Sequence, residues 1–462
     1  IYEEALTGRT ATYGSFHRQI RRTAYSLRHD LSIQPGDIVS ISGFSSIEYI
    51  LTAHAVWWTG GIVSPINNSL HPDELSRAID LVKPRCLIFT IGEPTGAKWP
   101  PLPINYSPSI DEEPELRNPI RPHTFNPKKA CAAILLSSGA TGMSKAVMLS
   151  HYNLVAPCFQ LREDNPQNWR GSQREIFFPP LSHIYALYVC FTMGLWLGAY
   201  VCLMPRFDLE PYCRLLKDRK ATLARVLPSI SRMLAESPVV RQYKYPSLEY
   251  FSCSAAPLHV RENVHLSGIV RLSQLTRSFD YDGHLDTNNI FAAYGCTELS
   301  GPCVQSGVRD RGLPLSASGT VIANSEIRFL GLDGKDVGAR GPEETAKAMF
   351  EDGWLRTGDL GYMDEKGYLY IYDRLKEMIK YKGFQVSPSE LENIIIQHPL
   401  VHEAAVIGAW SSTEDTEIPQ AFVVLKNAQG NAQGVAKDVS DFVSTKVSNY
   451  QKLRGGGGGC YN

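Results

Sequence analysis

Apolar residues recur along this chain in two alternating rhythms, one with the period of a helix and one in short unbroken runs. Ser45-Ser-Ile-Glu48 has the S-x-x-E form of a capping box, and Ile47, Ile50, Leu51, Ala55 and Trp58 then fall on one helical face until Gly60-Gly61 ends the pattern. Leu75, Ala78, Ile79 and Val82 predict a second helix over Pro72 to Val82, and Cys86 to Thr90 reads as a buried strand behind Lys83-Pro84. Residues 91 to 130 are rich in Pro and polar residues and predict a surface loop, after which Ala132 to Leu136 returns as a strand. Strand and helix alternate, so the expected fold class is α/β with a parallel sheet. Near the C-terminus, Ser387-Pro-Ser-Glu390 predicts a capped helix with Pro at its first position, carrying Leu391, Ile394 and Ile395 and ending at Pro399. Val401 to Ile407 and Ala421 to Leu425 read as strands, and Val439, Phe442, Val443 and Val447 share the face of a last helix. These elements predict a small α+β domain.

Ile184 to Met204 is a run of 21 residues whose only strongly polar member is Thr192, long enough to cross a bilayer. Gly194 and Gly198 punctuate it, Ala199-Tyr-Val-Cys-Leu-Met204 has the bias of a buried strand, and no basic cluster flanks it. Helix, turn and strand is the expectation, with no transmembrane span.

The 462 residues are 43% hydrophobic and 20% charged, the composition of a globular chain of two or more domains. Lys plus Arg is 46 against 47 for Asp plus Glu, so no overall field exists to hold nucleic acid. The ten cysteines contain no C-x-x-C pair and read as reduced, mostly buried thiols, which predicts an intracellular protein. The chain starts at Ile1 without a signal peptide, which predicts a truncated N-terminus.

The segment most suggestive of chemistry is Leu135-Leu-Ser-Ser-Gly-Ala-Thr-Gly-Met-Ser-Lys145. A strand runs into a loop carrying Ser137, Ser138, Gly139, Thr141, Gly142, Ser144 and Lys145. Glycines let backbone N–H groups turn toward an anion, hydroxyls donate further hydrogen bonds, and one Lys neutralises charge, so the loop suits phosphate. A Walker A loop needs Gly directly before Lys, and Ser144 stands there instead. By itself the segment is equally an ordinary Gly/Ser turn.

Three later segments accompany it in order: Ala293-Tyr-Gly-Cys-Thr-Glu298, Gly353-Trp-Leu-Arg-Thr-Gly-Asp359 and Asp373-Arg-Leu-Lys-Glu-Met-Ile-Lys-Tyr-Lys-Gly-Phe-Gln-Val386. Together the four resemble successive core motifs of the adenylate-forming enzymes, which include acyl-CoA synthetases and 4-coumarate-CoA ligases. The resemblance implies a large N-terminal AMP-binding domain with parallel sheets over 1–373 and a small C-terminal lid over 374–462. It also implies a two-step reaction. A carboxylic acid attacks the α-phosphate of ATP to give acyl-AMP and pyrophosphate, and CoA then takes the acyl group. In that scheme Thr141 and Lys145 hold the β- and γ-phosphates, Thr297 the α-phosphate, and Glu298 a Mg²⁺. Asp359 and Arg374 meet the ribose, Tyr294 and Gly295 lie against adenine, and Ser254, Ala255, Ala256 and Pro257 line the adenine pocket. Each residue has a plainer reading: a Tyr-Gly turn, an Asx turn at Asp359, a surface ion pair at Arg374.

Pro180-Leu-Ser-His-Ile-Tyr-Ala186 looks like the 4-coumarate ligase stretch that faces the acid, which makes His183 and Tyr185 acyl-side candidates, with Ala292 and Ala293 leaving room for a ring. No Asp stands where peptide-synthetase adenylation domains pair with an amine, so an amine-free aryl or medium-chain acid is expected, with a peptide-synthetase-like role as the weaker alternative. Lys376 resembles the family's hinge, and Lys380 and Gln385 lie in the segment used in thioester formation. Three departures point to the other alternative, a catalytically impaired nucleotide-binding homologue. The family's late lysine is missing from Asn449 to Asn462, the segment after Gly338-Ala-Arg-Gly-Pro342 is shortened, and Gly268 to Asn288 lengthens a link. Cys-Tyr-Asn at the end is no peroxisomal signal, so a cytoplasmic or peroxisomal site stays open.

Overall fold

In the computed structural model, the residues described are 1–90, 124–137, 145–227, 230, 233–234, 237–253, 290–310, 313, 316–330, 354–355, 357–375, 377–382, 384–414, 416–426, 432–454 and 460–461. They fall in two compact units, Ile1–Glu326 and Ile327–Asn462. The expected boundary after Asp373 lies inside the second unit, within the strand Leu369–Arg374. Segments 91–123, 254–289 and 331–353, which hold most of the expected surface loop, the lengthened link and the shortened stretch, are outside the described residues.

The first unit carries two sheets. One has the strand order Cys86–Thr90, Ile38–Gly43, Ile62–Ile66, Cys131–Ser137, Lys145–Ser150, parallel except for the last pair. The other runs Ala317–Val321, Gly301–Gln305, Ile290–Cys296, Tyr250–Cys253, Leu223–Val226, Arg174–Phe177, Tyr200–Leu203, Tyr2–Glu4, Thr10–Ala11. It is parallel from Ile290–Cys296 through Tyr2–Glu4, and antiparallel strands close it on both sides. Such parallel strands, covered on both faces, explain the unbroken apolar runs. Val39, Ile41, Ile50, Val63, Leu135 and Phe191 are buried in the main core, and Ile176, Tyr212 and Phe251 in a second cluster.

The helix Pro72–Val82 and the strand Cys86–Thr90 have the expected bounds, and Lys83 between them adopts a left-handed φ of 52° that ends the helix. The apolar run is helix, turn and strand. It is helical through 184–197 with a π-helical middle, Leu187–Met193, then Gly198 at φ 77°, then the strand Tyr200–Leu203. Thr192 turns its hydroxyl inward to the carbonyls of Tyr188 and Leu187, at 3.0 and 3.3 Å, so its polarity is absorbed within the helix. No described helix is long and apolar enough to cross a membrane.

The capping box at Ser45 needs correction. The helix Ile47–Trp58 is capped by Ser46, whose side chain accepts from the Tyr49 N–H. Glu48 is bound by the Arg9 guanidinium, a stronger partner than a backbone N–H, so spacing alone misplaced the cap by one residue. Among the described residues, Cys158, Cys190, Cys202, Cys213 and Cys253 are buried, Cys86, Cys131, Cys296 and Cys303 are half-buried, and none of the nine is in a disulfide.

In the second unit, Asp359–Met363 pairs antiparallel with Leu369–Arg374, and Ile379–Tyr381 with Phe384–Val386. Val401–Ser411 pairs antiparallel with Thr416–Leu425, which runs parallel to Cys460–Tyr461. Both long strands extend beyond their apolar cores because the ladder continues in register to Ser411↔Thr416. Helices Pro388–Ile395 and Ala432–Ser444 pack on them through Leu391, Ile395, Val439 and Val443. Ser387 caps the first as expected, but Glu390 takes a hydrogen bond from Gln451 instead of completing the box.

His54 sits on the helix Ile47–Trp58 among Phe16, Trp57 and Phe191, with its Nε2 3.0 Å from the Phe191 carbonyl. Burial lowers its pKa from 6.5 to about 4. The unfolded chain therefore binds the proton more tightly, and stability from this group is complete above the unfolded pKa and lost as pH falls toward the folded one. Chemical unfolding from pH 7 to 4 should show a loss of up to about 3 kcal/mol from His54. A His54→Gln variant with the same acid profile would contradict this assignment.

Candidate functional site

The hairpin formed by Cys131–Ser137 and Lys145–Ser150 sets Ser137 opposite Lys145 in register. The intervening candidates Ser138, Gly139, Thr141 and Gly142 lie outside the described residues. Ser137 Oγ donates to Glu298 Oε1 at 3.1 Å, which joins two motifs separated by 161 positions. Glu298 stands exposed on the short turn Thr297–Leu299, directly after the strand Ile290–Cys296, and Lys145 is exposed at its strand start. A hydroxyl, a carboxylate and a cation thus surround the ends of the phosphate-type loop. A hard cation takes oxygen ligands, and Mg²⁺ commonly uses one or two carboxylates plus phosphate oxygens and water. Glu298 fits that donor set. Among the described residues no group of three or more His, Cys, Asp or Glu side chains could enclose a metal by itself.

The strand Ile290–Cys296 shifts register at Tyr294/Gly295. A Cβ on Gly295 would meet the Gly301 carbonyl oxygen at 2.1 Å and Pro302 Cα at 2.6 Å, so this backbone contact requires glycine. Tyr294 is half-buried beside it, and Thr297 opens the turn that presents Glu298. Burial, with Glu298 nearby, pushes the Cys296 thiol up to about 12, so it stays protonated at neutral pH.

Ala292 and Ala293, on the same strand, line a cavity with Trp169, Tyr188, Arg225 and Tyr250. His183 is not among the residues lining that cavity: it accepts the Tyr185 N–H at Nδ1 (3.1 Å) and caps its own helix, and burial of the ring lowers its pKa. Tyr185 packs inward, stacked on Phe177 at 5.8 Å with the Arg225 guanidinium 5.5 Å from its ring. Burial raises its pKa, so it remains a neutral phenol.

Sequence reasoning missed Arg225 and Glu175. They form an ion pair at 2.5 Å with side chains only 5% and 3% exposed, and Trp169 covers the guanidinium at 4.9 Å. Burial opposes the charge on Arg225, yet Glu175 outweighs it and the pKa is raised. The available signal was a charged residue among apolar neighbours in each of two strands, Arg225 in Leu223–Val226 and Glu175, beside Arg174, in Arg174–Phe177.

In the second unit, Asp359 and Arg374 face each other across their strands, with Nε 3.2 Å from Oδ1. Asp373 accepts the Arg374 backbone N–H at Oδ1, while its Oδ2 accepts from the Ser387 hydroxyl and the Ser389 N–H at the following helix start. Lys380 is exposed, opposite Gln385 in its hairpin, and its backbone is held by Glu417 and Thr416. Lys376 and Ser254, Ala255, Ala256 and Pro257 lie outside the described residues.

The family model for AMP-binding enzymes matches residues 2–344, and that for the AMP-binding enzyme C-terminal domain matches 390–455. The fold and paired motifs are those of the adenylate-forming, acyl-CoA ligase class. The chain belongs to the AMP-binding enzyme family. It is 30% identical over 477 residues to a probable 4-coumarate-CoA ligase 3 of Dictyostelium discoideum, covering 92% of this chain and 82% of that protein. It is equally 30% identical to 4-coumarate-CoA ligase 3 of Arabidopsis thaliana, covering 97% and 82%. The fold is shared with ATP-bound MatB from Rhodopseudomonas palustris (TM-score 0.76, 22% identity, covering 98% of this chain and 90% of that one). It is shared too with the o-succinylbenzoate-CoA synthetase MenE from Bacillus subtilis in complex with its acyl-adenylate intermediate (TM-score 0.78, 20% identity, 98% and 90%).

Gly295→Ala should destabilise the chain by about 1–3 kcal/mol by forcing apart Gly295 and Gly301. The measurement is the thermal midpoint, and an unchanged midpoint would remove the close approach as a constraint.

Proposed function

We propose that this chain is an ATP-dependent acid-thiol ligase that converts an amine-free aryl or medium-chain carboxylic acid to acyl-AMP and then to the acyl-CoA. The observation that carries the proposal is the Ser137–Glu298 hydrogen bond, which sets the metal-type carboxylate at the mouth of the phosphate-type loop. A carboxylate oxygen is a poor leaving group until adenylated, and phosphoryl transfer asks chiefly for positioning and charge neutralisation. Lys145, with Thr141, neutralises the leaving pyrophosphate, and Thr297 holds the α-phosphate. Glu298 holds Mg²⁺, which supplies a positive charge shared among the phosphate oxygens when bound.

Ser137, Ser138, Gly139 and Gly142 complete the phosphate loop, and Tyr294, Gly295 and the Ser254–Pro257 stretch take the adenine. Asp359 accepts from the ribose hydroxyls, with Arg374 holding its carboxylate in place. The acid occupies the cavity lined by Ala292, Ala293 and Arg225, Tyr185 packs against that Arg225, and His183 is the remaining acyl-side candidate. The missing covalent step, transfer of the acyl group to the CoA thiol with release of AMP, is assigned to the segment of Lys380 and Gln385, with Lys376 as hinge. Free thiols agree with a reducing compartment that contains ATP and CoA, such as cytoplasm or peroxisome.

Lys145→Ala and Glu298→Ala should each lower acid-dependent pyrophosphate release by about 10²-fold or more. Undiminished rates in both would overturn the phosphate and metal assignments. Lys380→Ala should slow thioester formation by about 10²-fold while adenylation is little changed. Equal losses in the two half-reactions would place Lys380 outside the second step.

A further inference from the structure

The helix His151–Asp164 is apolar on two faces, and only one of them is covered. Leu154, Pro157, Cys158 and Leu161 are buried. Tyr152, Val155 and Phe159 recur at i, i+3, i+7 on the second face and stand exposed, Phe159 at 57%. A helix on the surface of a globular protein ordinarily turns polar residues outward. The apolar stripe also runs beyond this helix. Met148, on the strand just before it, is exposed, and Trp196 on the helix Gly194–Leu197 packs against the Phe159 ring at 4.8 Å while keeping 43% exposure. Cations border the stripe: Lys128 lies over the Tyr152 ring at 5.1 Å and Arg162 over the Trp196 ring at 4.9 Å, and Lys129 is exposed beside Lys128. Of the acids on the helix, Asp164 is held by Arg309 and Gln305, which leaves Glu163 as the exposed acid of the last turn. The helix Tyr13–His29 adds to the positive charge. Its Tyr13 hydroxyl reaches the Gly194 and Ala199 carbonyls at 3.1 and 3.0 Å, so it starts against the segment that carries Trp196. It holds four arginines and no acid, and His17, Arg18 and Arg21 fall by spacing on the face that Tyr13 shares.

We propose that this face docks on a bilayer surface rich in anionic lipid, with Tyr152, Val155, Phe159 and Trp196 at the boundary of headgroups and acyl chains and the bordering cations against lipid phosphates. Aromatic side chains settle at that level, and long basic side chains lay their stems on apolar surface while the charged head reaches the phosphates. Lys128 on Tyr152 and Arg162 on Trp196 have that arrangement. A bilayer needs no matching groove, and the stripe lies on the convex side of a helix. Protein interfaces are depleted in Lys, which disfavours a protein partner where Lys128 covers part of the stripe. A second copy meeting this face across a two-fold axis would bring the basic border of each copy against that of the other. The formal net charge of -1 supplies no general attraction to anionic lipid, so the attraction is confined to this face. Such docking needs no spanning helix, and no described helix is long and apolar enough to be one.

The test is co-sedimentation of the full chain with vesicles of phosphatidylcholine alone and of phosphatidylcholine containing about one-third phosphatidylserine, at low and at physiological salt. The unaltered chain should bind the anionic vesicles on the order of 10-fold or more tightly than the neutral ones, and the advantage should shrink as salt rises. Phe159→Ser combined with Trp196→Ser should weaken binding to the anionic vesicles by about 10-fold or more, because the apolar anchor is lost while the charges stay. Lys128→Gln combined with Arg162→Gln should instead narrow the difference between the two vesicle types. The thermal midpoint of each variant checks that the fold is intact, and if the Phe159 and Trp196 pair lowers it, Phe159→Ser alone decides. No binding to the anionic vesicles, equal binding to both types, or undiminished binding after loss of the aromatic anchor would each overturn the proposal. A concentration-dependent dimer in sedimentation velocity that the Phe159 and Trp196 variant abolishes would also overturn it, since the face would then belong to a second copy.

Discussion

Parallel pairing of the central strands is the constraint on which the site depends. In a parallel ladder all strands end at the same edge, and each must leave that edge through a loop before returning by a crossover. In one sheet Ser137 ends its strand, and in the other Glu298 follows the end of Ile290–Cys296 and His183 comes six residues after Arg174–Phe177. Ligands of open α/β sheets bind outside the carboxyl ends of the strands, and the motif residues of the first unit gather at those ends. The antiparallel return through Lys145–Ser150 then brings a lysine opposite Ser137 without a long connection.

Close packing at that edge has local costs. Gly295 is required because the Gly301 backbone approaches where a Cβ would stand, and the strand shifts register at the same place. Arg225 and Glu175 occupy neighbouring parallel strands among the apolar Leu223, Val226, Ile176 and Phe177, where a hydrophobic pair of similar volume would often be at least as stable.

Elements whose boundaries depend on local chemistry were legible in the chain. Pro72 to Val82 was bounded by Pro at its start and Lys83-Pro84 after it, and Cys86 to Thr90 by its apolar run. The run from Ile184 divided at Gly198 because glycine accepts the left-handed backbone that stops a helix. Caps were less legible. Spacing favours Ser45, with Glu48 three residues on, yet Ser46 is the cap, and Glu48 pairs with Arg9, distant in sequence, instead of completing a box. The strand over Val401–Ser411 outran its apolar core because cross-strand pairing, rather than hydrophobic pattern, sets its length.

The order and composition of the motifs at Ser137, Tyr294, Asp359 and Asp373 determined the family and hence the fold, because a long ordered match constrains topology far more than any single motif. The motifs could also name Asp359 and Arg374 separately, whereas their ion pair exists only because antiparallel register sets them opposite each other. Tertiary structure alone decided that Ser137 meets Glu298, that Tyr185 turns inward to Arg225, and that Arg225 pairs with Glu175. Those facts depend on which side chains from distant segments share a volume, and a linear chain carries no record of that until backbone pairing has closed the space around them.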